Sequence, residues 1–177
     1  LNVLRAMRAK LPFSIGQIGK AFRNEITPGK VIFRTIEFEQ MEYQTICRAG
    51  EDEKLYDDYK QRGVEFFEFR GLDSSHMRFH DHEKLAHYAK AACDIEYLFP
   101  FGGGEINGTH NRTGYDLGRH QEYSGKKLAL FYEETKERFL PFVVESTYGV
   151  GRTLLALLFE ALREEPLENG ETRLVCK

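Results

Sequence analysis

Two short stretches carry residue types suited to a phosphorylated, charged ligand. The first is Ala21-Phe22-Arg23-Asn24-Glu25, a Thr27-Pro28-Gly29-Lys30 turn, and then Phe33-Arg34-Thr35-Ile36-Glu37-Phe38-Glu39-Gln40-Met41-Glu42. Residues two apart on a strand point to one face. That rule groups Arg23 with Glu25, and Phe38 with Gln40 and Glu42. Such a face cannot be a dry core, because a charge buried without a partner costs several kcal/mol. It is either a solvated outer face crossed by ion pairs or a ligand floor. On a floor, arginine clamps phosphate, the aromatic ring stacks on a base, and carboxylates hold an ammonium group or magnesium. The second stretch is Glu145-Ser146-Thr147-Tyr148-Gly149-Val150-Gly151-Arg152, leading into the apolar run Thr153 to Leu162. A helix starting there offers free amides and the positive end of its dipole to an anion. Arg152 in the first turn opposes that dipole unless an anion sits beside it; an ordinary strand-to-helix turn is the alternative. A third group, His76, His80 and His82 with Asp81 and His87, raises a zinc hydrolase. His80-x-His82 on a strand places two imidazoles on one face.

The elements that must position these residues follow from periodicity. Leu1, Leu4, Met7 and Leu11 predict an amphipathic helix ending before Pro12. Phe13–Glu25 and Ile32–Cys47 alternate and flank the Pro-Gly turn, so they predict a long antiparallel hairpin. Glu51–Phe69 has helical spacing, His76–His82 is strand-like, and Glu83–Cys93 is helical through Leu85, Tyr88, Ala89 and Ala92. Ile95–Phe101 reads as a strand before Gly102-Gly103-Gly104, and Glu105–Leu117 as a polar, irregular segment. Phe142-Val143-Val144 is a buried strand. Thr153–Leu162 is a helix apolar nearly all round and therefore a core helix. Asn169-Gly170 marks a hairpin. The sum is α+β: an antiparallel sheet with helices against one side.

Composition narrows the classes. The 177 residues carry a net charge of -3 and 41% hydrophobic residues, as expected of a globular domain rather than a nucleic-acid sleeve. No apolar run reaches membrane-spanning length. Three widely spaced cysteines without a CxxC pair argue against a disulfide framework and for a reducing, cytoplasmic setting.

The two stretches together resemble motifs 2 and 3 of the class II aminoacyl-tRNA synthetases, in wording close to the glycyl-tRNA synthetase family of the single-chain dimeric type. The likeness continues through Gly16-Gln-Ile-Gly-Lys-Ala-Phe-Arg-Asn-Glu25, His87-Tyr88-Ala89-Lys90, Asp94-Ile95-Glu96-Tyr97, Gly104-Glu105-Ile106-Asn107-Gly108 and Asn111-Arg112-Thr113. It implies a class II synthetase-like antiparallel sheet flanked by helices, with ATP bent over it, glycine activated as glycyl-adenylate, and transfer to tRNA(Gly). By that resemblance Arg23 contacts the α-phosphate, Glu25 the adenine amino group and Arg34 the outer phosphates. Phe38 stacks on adenine, and Arg152 covers the other face or touches the γ-phosphate. Asn24, Phe33, Glu105, Ile106, Gly149, Val150 and Gly151 complete the implied ATP site. Arg23, Arg152 and Glu105 are the implied catalytic residues, and Glu105 and Glu145 the acidic pair beside magnesium. Glycine would be held by Glu42, Arg112, Glu145, Ser146 and Thr147 over a floor of Phe38, Glu39, Gln40 and Met41.

Asn107, Gly114, Ser146 and Gly151 depart from the family's usual residues, which bears on glycine affinity more than on ATP. The resemblance also implies a homodimer formed largely through motif 1, which lies upstream of this sequence. Residues 1–165 read as the catalytic core and 166–177 as a hairpin connector towards an anticodon-binding domain. The alternative is a catalytically incomplete fragment or paralogue that binds nucleotide or a protein partner. Contacts to tRNA would rest on Arg8, Lys10, Lys126 and Lys127.

Overall fold

The computed structural model describes residues 1–132 and 136–176; Lys177, the last residue of the expected connector, lies outside them. The elements run α1 (Asn2–Ala6), β1 (Phe13–Phe22), β2 (Glu37–Cys47), α2 (Asp52–Phe69), β3 (Met77–Asp81), β4 (Ala91–Phe99) and β5 (Gly102–Thr113). They continue with α3 (Tyr115–Ser124), β6 (Leu130–Tyr132), β7 (Glu137–Phe139), β8 (Phe142–Gly149), α4 (Val150–Ala161), β9 (Leu162–Pro166) and β10 (Thr172–Cys176). Six strands form one sheet in the order β1-β2-β8-β5-β4-β3, and every neighbouring pair is antiparallel. β6–β7 and β9–β10 are separate two-stranded sheets. None of the described helices is long and apolar enough to cross a membrane.

Both long helices pack on one face of the sheet. Tyr59 of α2 hydrogen-bonds to Thr45 of β2, Phe66 and Phe67 lie against Tyr148 of β8, and Tyr97 of β4 donates to Glu160 of α4 at 2.7 Å. Gly63 makes the α2 contact possible, since a Cβ there would come within 2.6 Å of Ile95 Cδ1. The main core, Phe67, Leu72, Ile95, Tyr97, Phe99, Ile106, Leu155 and Ala156, fills the space between this face and the helices. Strand alternation sends the intervening residues of β2, β5 and β8 to the opposite face. That face is a polar floor.

Several expectations need correction. The first helix ends at Ala6, and Arg8 has a positive φ of 51°. Leu4 and Leu11 still reach the same small core, because that core selects apolar residues whatever their local conformation. The first strand stops at Phe22 and the second starts at Glu37, so Arg23 and Glu25 lie outside the strands and alternation does not group them. Between the strands the chain makes a small turn closed by Gly29 and Arg34. Glu83–Cys93 is no helix, and its last three residues open β4. Burial of Cys93 and Ile95 beneath the helices outweighs the local 3.6-residue spacing.

The segment read as irregular, from Glu105, is the centre of β5. Its buried Asn107, Thr109 and Asn111 are satisfied across strands and helices: Asn107 donates to Ser146 and to the Thr147 carbonyl at 3.0 Å, and Asn111 to the buried Asp52 at 2.6 Å. After it comes α3, which the periodicity missed. Finally, α4 is not buried all round: Leu154 and Leu158 are exposed.

Candidate active site

The floor is built by register. Glu42 of β2 stands opposite Thr147 of β8, and Gln44 opposite Glu145. On the other side of β8, Gly108 faces Thr147 and His110 faces Glu145. Glu145 is the hub. It accepts from Arg112 Nη1 with both oxygens, at 3.1 and 3.0 Å, and from Gln44 Nε2 at 3.0 Å, while His110 Nδ1 lies 3.8 Å away. Arg112 is fixed by Asp116 at 2.8 Å and rests 4.4 Å over the Tyr88 ring. Gln44 also donates to Glu42. Burial and then the charge of Glu145 push the Glu42 carboxyl above its ordinary range. Burial, reinforced by Glu105, does the same to Asp94. These residues line a wide groove of about 1400 Å³, rich in carboxylate, with one orphan: His110 Nδ1 is buried without a hydrogen-bond partner.

The groove runs into a cleft of about 570 Å³ at the Gly149 end of β8; Arg23, Gln40, Glu105 and Thr147 line both. Arg23, Arg34 and Arg152 all border the cleft, so the guanidinium groups from the β1–β2 connection and from α4 converge on one space. Arg23 lies 5.2 Å over the Phe38 ring, and Arg34 approaches Glu25 at 3.9 Å. Arg152 donates from Nε to the Phe33 carbonyl at 3.0 Å and from Nη1 to the Glu105 carboxylate at 3.0 Å, with its guanidinium 4.3 Å over the Phe33 ring. Phe33 is held edge-on by Phe99 and Phe101, each at 5.4 Å. Gly104 leaves room for that ring, which an added Cβ would meet at 2.6 Å. α4 begins at Val150 after Gly149, with no side-chain cap and no acidic residue in its first turn. Its leading amides are therefore free donors beside the arginines. Three guanidinium groups and a helix N-terminus suit a polyphosphate.

Apart from Arg23, Gln40, Glu105 and Thr147, which line both spaces, the expected residues separate. Glu25, Phe33, Arg34, Phe38, Gln40, Glu105, Ile106, Gly149, Gly151 and Arg152 border the cleft, with Glu39 at its edge. Glu42, Arg112, Glu145 and Thr147 line the groove. Asn24 and Val150 line neither. Met41 and Ser146 alternate to the helix face, where Ser146 bonds Asn107. Asn107 is there too, so neither departure faces the floor; Gly114 lies beneath the Pro141 carbonyl, outside the groove. In place of a shared carboxylate pair, Glu145 is committed to Arg112 while Glu105 meets Arg152.

The histidines also separate. His80 and His82 do share a face, 5.6 Å apart, but each takes its own carboxylate, Glu96 at 2.9 Å and Asp94 at 2.7 Å. His76 turns away to Glu160, and His87 packs against Tyr88 and Tyr115. No group of three or more potential metal-binding side chains occurs among the described residues. Gln44, Asp94, Asp116 and His110 were missed in the sequence. Gln44 was legible as the next member of the Phe38-Gln40-Glu42 alternation. His110, two residues before Arg112, was hidden by the irregular reading of β5.

Comparison with known proteins places this geometry. The family model of the tRNA synthetase class II core domain (G, H, P, S and T) matches residues 2–161. The glycine–tRNA ligase of Geobacillus thermodenitrificans is 50% identical over 176 residues, covering 98% of this chain and 38% of that protein. That of Caldanaerobacter subterraneus subsp. tengcongensis is 49% identical over 178 residues, covering 99% and 38%, and that of Clostridium tetani 46% over 178 residues. The chain thus spans about two fifths of the length of these relatives. The matched region runs from α1 to the last residue of α4 and takes in both the arginine-lined cleft and the carboxylate groove, so this chain belongs to the class II tRNA synthetase core domain family.

Proposed function

We propose that the chain is the glycine-activating core of a glycine–tRNA ligase. The observation that carries this is the convergence of Arg23, Arg34 and Arg152 on a cleft continuous with a carboxylate-lined groove. ATP would lie in the cleft with its base against Phe38 and its phosphates among the arginines and the leading amides of α4. Glycine would lie in the groove, its ammonium group near Glu42 and Glu145, with Arg112 fixing Glu145. The glycine carboxylate attacks the α-phosphorus, forming a P–O bond as the bond to the bridging oxygen breaks and pyrophosphate leaves with the electron pair. The nucleophile is already ionised, so no general base is required. The protein contributes position and charge stabilisation, Arg23 at the α-phosphate foremost. In the second step a terminal hydroxyl of tRNA(Gly) attacks the carbonyl and AMP leaves.

Magnesium would accompany ATP and neutralise phosphate charge. Of the two acidic residues expected beside it, Glu105 fits better, being half exposed in the cleft, whereas both oxygens of Glu145 are engaged. The polar walls at Thr147, Glu42 and Gln44 would disfavour an apolar side chain, which would have to desolvate the Glu42 carboxylate. Residues 1–165 as a catalytic core, residues 166–177 as a connector, a homodimer and a cytoplasmic setting belong to the same proposal.

Titration calorimetry with magnesium-ATP and a glycine-dependent ATP–pyrophosphate exchange assay test it. Exchange with glycine and not with alanine is the expected result. ATP binding without exchange would select a nucleotide-binding core without ligase activity, and no ATP binding would remove both readings.

A further inference from the structure

Asp52, the first residue of α2, is fully buried on the helix side of the sheet, away from the polar floor. Burial alone would raise its pKa. Hydrogen bonds from Asn111, Gly50 and Lys90 more than offset that and hold the carboxyl below its ordinary range, so the group is ionised at neutral pH. Burying a charge is costly, and apolar residues of similar volume often serve folding as well. What this carboxylate does is join three segments. It accepts from the Gly50 amide at 2.7 Å, from Asn111 Nδ2 of β5 at 2.6 Å and from Lys90 Nζ at 3.3 Å. Lys90 lies immediately before β4, and its amide donates to the Asn111 carbonyl at 2.8 Å. Two residues earlier in the same segment is Tyr88, the ring over which the Arg112 guanidinium rests. Asp52 thus ties down both the strand from which Arg112 springs and the segment that carries its aromatic support.

That strand is irregular where the tie is made. Asn111 opposes Val144 and Thr113 opposes the adjacent Val143, so Arg112 has no partner in the β5–β8 ladder. A bulge of this kind re-aims a side chain and leaves one residue unpaired. Thr113 has a φ of 55°, a left-handed conformation that a β-branched residue keeps only where its surroundings impose it. Its amide donates to Asn111 Oδ1 at 3.2 Å. Both ends of one buried side-chain amide are therefore used, the nitrogen on Asp52 and the oxygen on the bulge. Arg112 leaves the bulge on the opposite face and reaches Glu145 and Asp116. We propose that Asp52 is a positioning residue for the glycine groove: through Asn111 and Lys90 it fixes the β5 bulge and the Tyr88 segment, and so aims Arg112 at Glu145 from the far side of the sheet. The link to glycine rests on the proposed function; the aiming of Arg112 does not.

The test compares the full chain with D52N, N111A, K90Q and the exchanged pair D52N/N111D, which keeps the hydrogen bond between the two side chains with donor and acceptor reversed. Glycine and ATP dependence are read separately in pyrophosphate exchange. The Arg112 Nε–H resonance, identified by its loss in R112K, is read by NMR without ligand. D52N and N111A should raise the KM for glycine about tenfold, with kcat and the KM for ATP within about twofold. K90Q changes a half-exposed side chain and leaves the Asp52–Asn111 bond in place; it should raise the glycine KM by about threefold. The exchanged pair should recover most of the loss. In each single variant the Arg112 resonance should move or broaden, and in the exchanged pair it should return. A purely structural Asp52 would lower Tm, change both KM values alike or neither, and leave the Arg112 resonance in place. That result in D52N and N111A, or in K90Q should those two not fold, would overturn the proposal. A parent chain without glycine-dependent exchange would remove the ligase reading and leave the positioning of Arg112 to be decided by its resonance.

Discussion

Glu42 shows how a residue can serve a site at the expense of the fold. Its carboxyl is pushed up by burial and by Glu145, so its ionised form at neutral pH works against folding. A raised pKa adds stability at low pH that is lost as pH climbs through the folded value. E42Q should therefore raise Tm at pH 7 by roughly 1–3 °C, read by calorimetry, while, on the proposed function, raising the KM for glycine about tenfold or more with little change for ATP. By the same sign, the parent chain's glycine KM should rise as pH falls through the elevated Glu42 midpoint, at a pH above that of an ordinary glutamate. The His80–Glu96 pair runs in two directions: Glu96 raises the His80 pKa, and His80 chiefly lowers that of Glu96. The histidine contribution is complete below about 6.5 and fades as pH rises through the folded value, while the glutamate contribution fades as pH falls through its own depressed value. NMR should find the His80 midpoint above about 6.5, returning towards it in E96Q. An unchanged midpoint would show that the pair does not persist in solution.

At the level of elements, two glycines bear differently on stability and function. Gly63 lets α2 approach Ile95 and Asn107. Alanine there overpacks a closed core at a cost of about 1–3 kcal/mol, against roughly 1 kcal/mol gained in helix propensity. The urea midpoint of G63A should fall. Gly104 borders Phe33, a half-buried ring on the β1–β2 connection, at 2.6 Å and the buried Phe99 at 3.1 Å. G104A should cost about 1–3 kcal/mol by overpacking and also move Phe33 from beneath Arg152, which on the proposed function raises the KM for ATP severalfold in the exchange assay. The same contrast explains what could be read in advance. The hairpin of β1 and β2 and the apolar start of α4 announced themselves through alternation and helical spacing. β5 did not, because Asn107, Thr109 and Asn111 look like loop residues until Ser146 and Asp52 stand across from them.

Taken whole, the molecule buries two of its three cysteines, Cys47 and Cys93. Burial pushes their thiols up to about 12 and about 11, whereas Cys176 is exposed. Ellman's reagent should titrate one thiol rapidly in the native protein and the other two only on unfolding; a fast second thiol would mean that the end of β2 or the β3–β4 side of the sheet opens. The sequence alone determined the chemistry: an arginine–aromatic–carboxylate hairpin, a glycine-flanked arginine before an apolar helix, and the antiparallel α+β class that suits them. These depend on residue type and local period, both of which survive in a string of letters. The tertiary structure alone decided which side of the sheet each polar residue serves. Strand register sent Met41, Ser146 and Asn107 under the helices and made Glu145 the hub between Gln44 and Arg112. Pairing between distant strands fixes such neighbours, and no short-range pattern encodes it.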